Sequence, residues 1–429
     1  MTDPAEPTSP GPVGDGDVAH TRRAQMSVAL ACLIGNAISR TPVLNSPFGL
    51  FLIPIAHEFR WPRERVSGVL GLLAVVSALT LPVIGRWADR FGPRRLILFG
   101  SLGFGVCVIA LGFSTPNFFL FYALFGLIGI FSSLPSTMMF NRVISGWFDK
   151  TRGTMLGLSA GGGNGLGATI MPFAALILMK TFGWRGAFIG LGAIVIVTGF
   201  PTFLLLLKEP PLADRGGIPS GGDVVGMTLA QAVRTRSFWQ TLIAIGIGAG
   251  GLTAVLAHVV PILLDRGFPA QQGVLVVSVF ALVGAGGMIV VGWLLDRIQS
   301  PKIVAPLYLI AVAGALALEH GATLPALIAG GAMMGLGLGA EFAALSYFIA
   351  RYFGLRRFGM IAGVMYAIVT ITQGITPYLM DVDFDHNKSY RLSLHVIEAA
   401  LVVGAVIIAC LPRYAATATL WIKTPQAAS

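Results

Sequence analysis

Charge is scarce in this chain. Asp, Glu, Lys and Arg together make up 11% of its 429 residues, against about a quarter in ordinary soluble domains. Hydrophobic residues reach 55%, and the mean hydropathy is +0.80. A soluble globule is excluded, because far more apolar surface would stay in water than one core could cover. Cysteine is scarcer still, with three residues. Cys32, Cys107 and Cys410 sit inside apolar segments without metal-ligand spacing, so neither a disulfide scaffold nor a metal centre is expected, and they read as packing residues. No P-loop or nucleophile–base pair stands out, so no catalytic residue, no enzyme activity and no cofactor are expected. The net charge is +10, yet no basic run is interleaved with polar aromatics. Nucleic acid is therefore not expected as a partner.

What the chain has in abundance is long apolar runs of about 20–30 residues, enough to cross a hydrocarbon layer ~30 Å thick. Twelve spans are predicted, near 26–56, 64–87, 95–114, 117–146, 154–180, 184–207, 238–264, 271–295, 302–320, 323–350, 359–380 and 391–411. The expected partner is thus the lipid bilayer. Residues 1–25, rich in Pro, Gly and acids, read as a disordered cytoplasmic tail without the basic and apolar regions of a signal peptide. Residues 413–429 read as a second cytoplasmic tail. With both termini inside, 19 of the 29 Lys and Arg face the cytoplasm and 8 face the other side. That asymmetry predicts an N-in, C-in orientation.

The chain also repeats itself. Gly85-Arg-Trp-Ala-Asp89-Arg90 returns 207 residues later as Gly292-Trp-Leu-Leu-Asp296-Arg297, each copy closing a long apolar segment. Pro54-Ile55 matches Pro261-Ile262, Trp147-Phe148 matches Tyr352-Phe353, and Trp184-Arg185 matches Tyr390-Arg391, so the offsets fall within 205–207. Four anchors within two residues of one offset predict an all-α membrane protein of two pseudo-symmetric six-helix bundles, 26–208 and 237–412. The polar stretch 209–236 reads as a cytoplasmic linker with a short amphipathic helix over Thr228 to Arg236.

The loop Gly85-x-x-x-Asp89-Arg90-x-Gly92-x-Arg94-Arg95 resembles the signature loop of the major facilitator superfamily. Trp147-Phe148-x-x-x-Arg152-Gly153, Gly183-Trp184-Arg185-x-Ala187-Phe188 and Ala232-x-Arg234-x-Arg236-x-Phe238-Trp239 are similar to its bacterial monocarboxylate/organic-anion branch, near the oxalate/formate antiporters. The resemblance runs from about residue 26 to 412 and implies the major facilitator fold. It further implies a monomeric, multi-pass protein of the cell inner membrane that works as a secondary active transporter by alternating access. The expected cargo is a small organic, carboxylate-like anion, with proton coupling; an exporter of amphipathic or drug-like compounds is the alternative. The loop residues Asp89, Arg90, Arg95, Asp296 and Arg297 are implied as gating residues. Members of the branch carry an Arg in span eight where this chain has Met288, and an acid one turn earlier where it has Gly284.

Ionisable groups inside the spans are Arg40, Arg142, His258, Glu341 and Glu398. At the repeat offset, Arg40 maps to Ile247, Arg142 to Phe348, His258 to Phe51 and Glu341 to Pro135, so none serves the common scaffold. A charge near mid-membrane costs roughly 2.5–3.5 kcal/mol on insertion scales and faces a wet cavity or a partner. Arg40, 14 residues past Met26, is predicted at mid-depth, either gripping an anion with parallel hydrogen bonds or paired with Glu341. Arg142 either joins the substrate site or snorkels to the surface. His258 and Glu341 are candidate proton carriers, with a structural role open for each. Asn36, Asn45, Tyr347 and Tyr366 could line the site or bond helix to helix. Gly153, Gly157, Gly161 and Gly165, repeated as Gly331, Gly335 and Gly339, predict stripes for close backbone approach.

Overall fold

The structure, a computed structural model, describes residues 15–209 and 226–414. The expected tails over 1–14 and 415–429, and linker residues 210–225, lie outside the described residues. Sixteen α-helices are described. In the first half they are α1 (Asp15–Ala37), α2 (Phe48–Phe59), α3 (Arg63–Phe91), α4 (Pro93–Leu111), α5 (Phe118–Ser133), α6 (Thr137–Trp147), α7 (Arg152–Gly157), α8 (Gly163–Ile194) and α9 (Phe200–Leu205). A short α10 (Leu229–Val233) precedes the second half, α11 (Arg236–Asp265), α12 (Ala270–Ile298), α13 (Val304–His320), α14 (Leu324–Phe353), α15 (Phe358–Asn387) and α16 (Arg391–Ala409).

Eleven helical segments are long and apolar enough to cross a bilayer, against twelve from the sequence. The difference is one segment, Arg152–Leu205, of 54 residues. At about 1.5 Å per residue it would run ~80 Å, more than twice the hydrocarbon thickness. Its regular course ends at Gly183, with φ 69° and ψ −179°, a conformation open to glycine and strained for side-chain-bearing residues. Two helices therefore meet there, between the predicted spans 154–180 and 184–207.

Other breaks follow proline and glycine. The predicted span 26–56 is interrupted by a wide π-type turn, Thr41–Asn45, between α1 and α2. Pro42 and Pro47 each remove a backbone donor and crowd the preceding turn. Similar wide turns occupy Leu158–Gly162, among glycines, and Val195–Gly199, just before Pro201. The first helix is already formed at Asp15, where the described residues begin, eleven residues before the predicted start. The sequence has no proline between Pro12 and Pro42 to stop it. The predicted amphipathic piece is α10, capped by Thr228 and Gln231 in a reciprocal box, which satisfies two otherwise orphaned groups.

Within the halves, α3 packs on α5 and α4 on α8, while α12 packs on α14 and α13 on α14 and α16. Two seams join the halves: α3 against α15, and α7 against α12. They are related by the sequence repeat. Large apolar side chains stay exposed along the outer faces, among them Leu79, Phe119, Val197 and Leu282. Such a surface is stable against hydrocarbon and costly against water.

Candidate functional site

The two aspartates of the repeated phrase reach across the seams. Asp89, at the C-terminal end of α3, accepts hydrogen bonds from the backbone N–H groups of Gly359 (3.0 Å) and Met360 (2.9 Å), in the first turn of α15. Asp296, at the C-terminal end of α12, accepts from the N–H groups of Gly153 and Thr154 (2.8 Å each) and from Thr154 Oγ1 (2.9 Å), in the first turn of α7. Neither α7 nor α15 has a side-chain cap from its own N-cap residue. Each is capped instead by a carboxylate from the opposite bundle, which also meets the positive end of the helix dipole.

Glycine makes that approach possible. A Cβ on Gly359 would lie 2.9 Å from Asp89 Oδ1, and one on Gly153 would lie 3.1 Å from Asp296 Oδ1. Farther along the seams, Gly157 and Gly161 lie against the backbone of Met288 and Ala285 in α12, and Gly363 against Leu81 in α3. The span-five stripe is thus a contact between bundles. The span-ten stripe, Gly331, Gly335 and Gly339, packs on α12 within one bundle.

Arg142 forms an ion pair with Asp89, and both side chains are buried. The structure thus takes Arg142 into the Asp89 contact, away from both alternatives weighed for it. Asp296 makes no ion pair among the described residues; the nearby Arg152 pairs with Asp149 at 3.2 Å instead. One residue earlier, Asn141 Nδ2 donates to Ser346 Oγ (2.9 Å) and Tyr366 OH (3.2 Å), and those two hydroxyls lie 2.7 Å apart. Asp149 pairs with Arg351 at 3.5 Å. Every hydrogen bond between bundles found among the described residues lies at this same end. Arg90 stacks over Phe91 and Arg297 over Trp293, while Arg95 is exposed.

Arg40 sits at the break in the first span, as the residue before the wide turn. Its guanidinium donates to Ser77 Oγ and, at 3.5 Å, to the Leu73 carbonyl of α3. It makes no ion pair with Glu341, which is 1% exposed in α14 with Oε2 lacking a hydrogen-bond partner. Asn36 is fully buried and engaged: Nδ2 donates to the Cys32 carbonyl and Ser159 Oγ (3.0 Å each), and Oδ1 accepts from Thr137 at 2.7 Å. Tyr347 OH donates to the Leu295 carbonyl at 3.0 Å. Asn45 is exposed at the end of the wide turn.

His258 bridges two helices. Its Nδ1 lies 2.8 Å from the Ala254 carbonyl and its Nε2 lies 2.8 Å from Asp381 Oδ1 of α15. A carbonyl only accepts, so Nδ1 carries hydrogen, and the imidazole–carboxylate contact holds a further proton. Sequence reasoning missed Asp381 because it closed span eleven at 380, one residue short; α15 continues to Asn387. Ser77, Asn141 and Ser346 were also missed. Small polar residues inside apolar helices are common, and only Asn141, beside Arg142, carried a signal.

The Major Facilitator Superfamily model matches residues 32–377. Monocarboxylate transporter 11 of Homo sapiens is 27% identical over 65% of this chain and 58% of its own length. An uncharacterized MFS-type transporter of Bacillus subtilis (strain 168) is 24% identical over 62% of this chain and 64% of its own. The matched region thus spans less than two thirds of either relative. Monocarboxylate transporter 11 of Mus musculus is 25% identical over 90% of this chain and 87% of its own. Among solved structures, the fucose:proton symporter of E. coli superimposes with TM-score 0.64 at 16% identity, covering 95% of this chain and 99% of that one. A bacterial homologue of the iron transporter ferroportin, in an outward-facing state, gives 0.68 at 13%, covering 94% and 100%. These likenesses establish the fold. A chain whose two repeated halves meet through reciprocal aspartate caps, matched over most of its length by the family model, belongs to the Major Facilitator Superfamily.

Proposed function

We propose that this transporter moves a small organic anion by secondary active transport, with both termini in the cytoplasm and the reciprocal aspartate caps as the cytoplasmic gate. In this reading the described conformation is closed inward and open outward. Support comes from the confinement of all described hydrogen bonds between bundles to one end. Opening inward would break the contacts of Asp89 and Asp296 together and uncover the first turns of α7 and α15. A switch of this kind works only if the two conformers differ by a few kcal/mol.

The observation that carries the anion assignment is Arg40. It is a guanidinium at about mid-depth, with no carboxylate partner among the described residues, hydrogen-bonded only to neutral groups of α3. Donors remain for a carboxylate, which an arginine holds with two parallel bonds. Glu341, buried without a partner for Oε2, and the His258–Asp381 pair are the candidate proton carriers. A buried carboxylate without a cation is stable chiefly when protonated. Asn36, Tyr347 and Tyr366 are assigned to helix–helix hydrogen bonding in this state, and Asn45 is exposed. The names of the monocarboxylate relatives agree with an anionic cargo.

The experiment is uptake of labelled monocarboxylates into proteoliposomes under an imposed pH gradient, comparing wild type with Arg40→Lys and Arg40→Ala. Carboxylate-dependent uptake that Arg40→Ala abolishes is expected. A second reading, export of amphipathic compounds, is favoured by Met288. That side chain packs against Gly161 where branch members carry an arginine. Full activity in Arg40→Ala, with no competition by carboxylates, would establish the second reading in place of the first.

A further inference from the structure

At the end of the second bundle opposite the gate, the C-terminal turn of α13 meets α16. Glu319 comes from α13; His395 and Glu398 come from α16, three residues apart and therefore on one helix face. One potential ligand atom from each lies within 4.8 Å of the others. Glu319 and Glu398 are 7% and 8% exposed, and Glu319 Oε2 and Glu398 Oε1 are buried without a hydrogen-bond partner. Two carboxylates brought together away from water repel one another unless a cation or proton lies between them.

The cations nearby do not fill that place. Arg266 donates to the Leu318 and Gly321 carbonyls, capping α13 instead of pairing with the carboxylates. Burial lowers the Arg266 pKa, and the Glu319 charge acts to raise it. Arg391 is 77% exposed, with Nε 3.9 Å from Glu319 Oε1. His320 Nε2 stands 3.7 Å from Glu319 Oε2 at the rim. His395 Nε2 lies 3.2 Å from the same oxygen. That separation suits two ligands of one tetrahedral ion, since bonds of about 2.0–2.1 Å place their atoms ~3.4 Å apart. His395 remains 57% exposed, so the cluster is reachable from outside. Glu319 also lines an adjoining cavity of about 370 Å³.

We propose that Glu319, His395 and Glu398, with His320 at the rim, bind a divalent transition-metal cation of the zinc class. Mixed imidazole and carboxylate ligation favours zinc over calcium or magnesium, which take oxygen ligands in larger shells. The ion ties the end of α13 to α16, away from the gate and from Arg40. The sequence hid this site because Glu319 lies 76 residues before His395 and no cysteine marks it. It stands apart from the anion-transport reading, and its test requires no transport.

The test is equilibrium dialysis of the full-length purified protein, treated first with chelator, against Zn²⁺ and separately against Mg²⁺, with metal analysis and thermal unfolding. The expected result is one Zn²⁺ per chain, no matching uptake of Mg²⁺, and an unfolding midpoint raised by Zn²⁺. His395→Ala and Glu398→Gln should each weaken binding at least about tenfold and remove the thermal shift, while His386→Ala, an exposed histidine elsewhere, should retain both. His395 is largely exposed, so its variant should fold even where Glu398→Gln does not. No stoichiometric Zn²⁺ in wild type, or equal binding by wild type and His395→Ala, would overturn the proposal.

Discussion

Asp89 and Asp296 occupy the same place in the two halves and make the same contact, each capping the first turn of a helix in the other bundle. Asp89 alone also holds a buried arginine, Arg142. The duplicated contact is therefore symmetric in geometry and asymmetric in charge.

That asymmetry orders two substitutions. Asp89→Asn removes a buried ion pair and strands Arg142, costing the closed state about 3 kcal/mol, or ~100-fold in population. Asp296→Asn weakens a cap without stranding a cation, at about 1 kcal/mol, or ~5-fold. The readout is the rate of thiol labelling at Ser145→Cys, a buried gate-end position, in a Cys410→Ser background. Labelling should accelerate far more in Asp89→Asn; equal acceleration would refute the ordering.

The glycines of the seams should divide by what a side chain would meet. Gly157→Val collides with the Met288 backbone. It should block closure and cut transport at least about tenfold, since a seam of packed backbones has no room to relax. Gly71→Ala and Gly126→Ala meet nothing within 4 Å. They should leave transport intact and change stability by no more than about 1 kcal/mol, in the favourable direction. Parallel transport and thermal-unfolding assays separate the two groups.

Ser77 holds the Arg40 guanidinium. In Ser77→Ala a donor of a buried cation loses its acceptor, a cost of about 1–3 kcal/mol, and the guanidinium is freed to turn. The expected outcome is a KM for the transported anion raised about tenfold with little change in protein yield, restored by Ser77→Thr. An unchanged KM in Ser77→Ala would show that Arg40 orientation does not matter to binding.

The His258–Asp381 contact predicts a difference between two replacements at one position. In Asp381→Asn the amide N–H donates to a neutral imidazole Nε2, so the α11–α15 tie survives without a shared proton. Asp381→Ala leaves Nε2 unpartnered and should lower stability by about 1–3 kcal/mol. Thermal unfolding should rank wild type and Asp381→Asn together above Asp381→Ala. If the pair carries the coupling proton, Asp381→Asn also flattens the pH dependence of uptake.

Much of this architecture was legible in the amino-acid order. Low charge and long apolar runs dictated membrane-spanning helices, because a buried backbone in hydrocarbon must bond to itself. The repeat announced two halves, and its aspartates marked the contact between them. Glycines at four-residue spacing foretold a close seam, since spacing on one helix is local geometry. Which helix lies opposite is not local. Only the folded chain paired Arg142 with Asp89, left Glu341 apart from Arg40, broke the first span around Arg40 and gathered Glu319 with His395 and Glu398. Those outcomes depend on the register between helices distant in sequence, which is set by packing and electrostatic complementarity between faces. A hydropathy pattern carries the face each helix buries and is silent on the partner it buries it against.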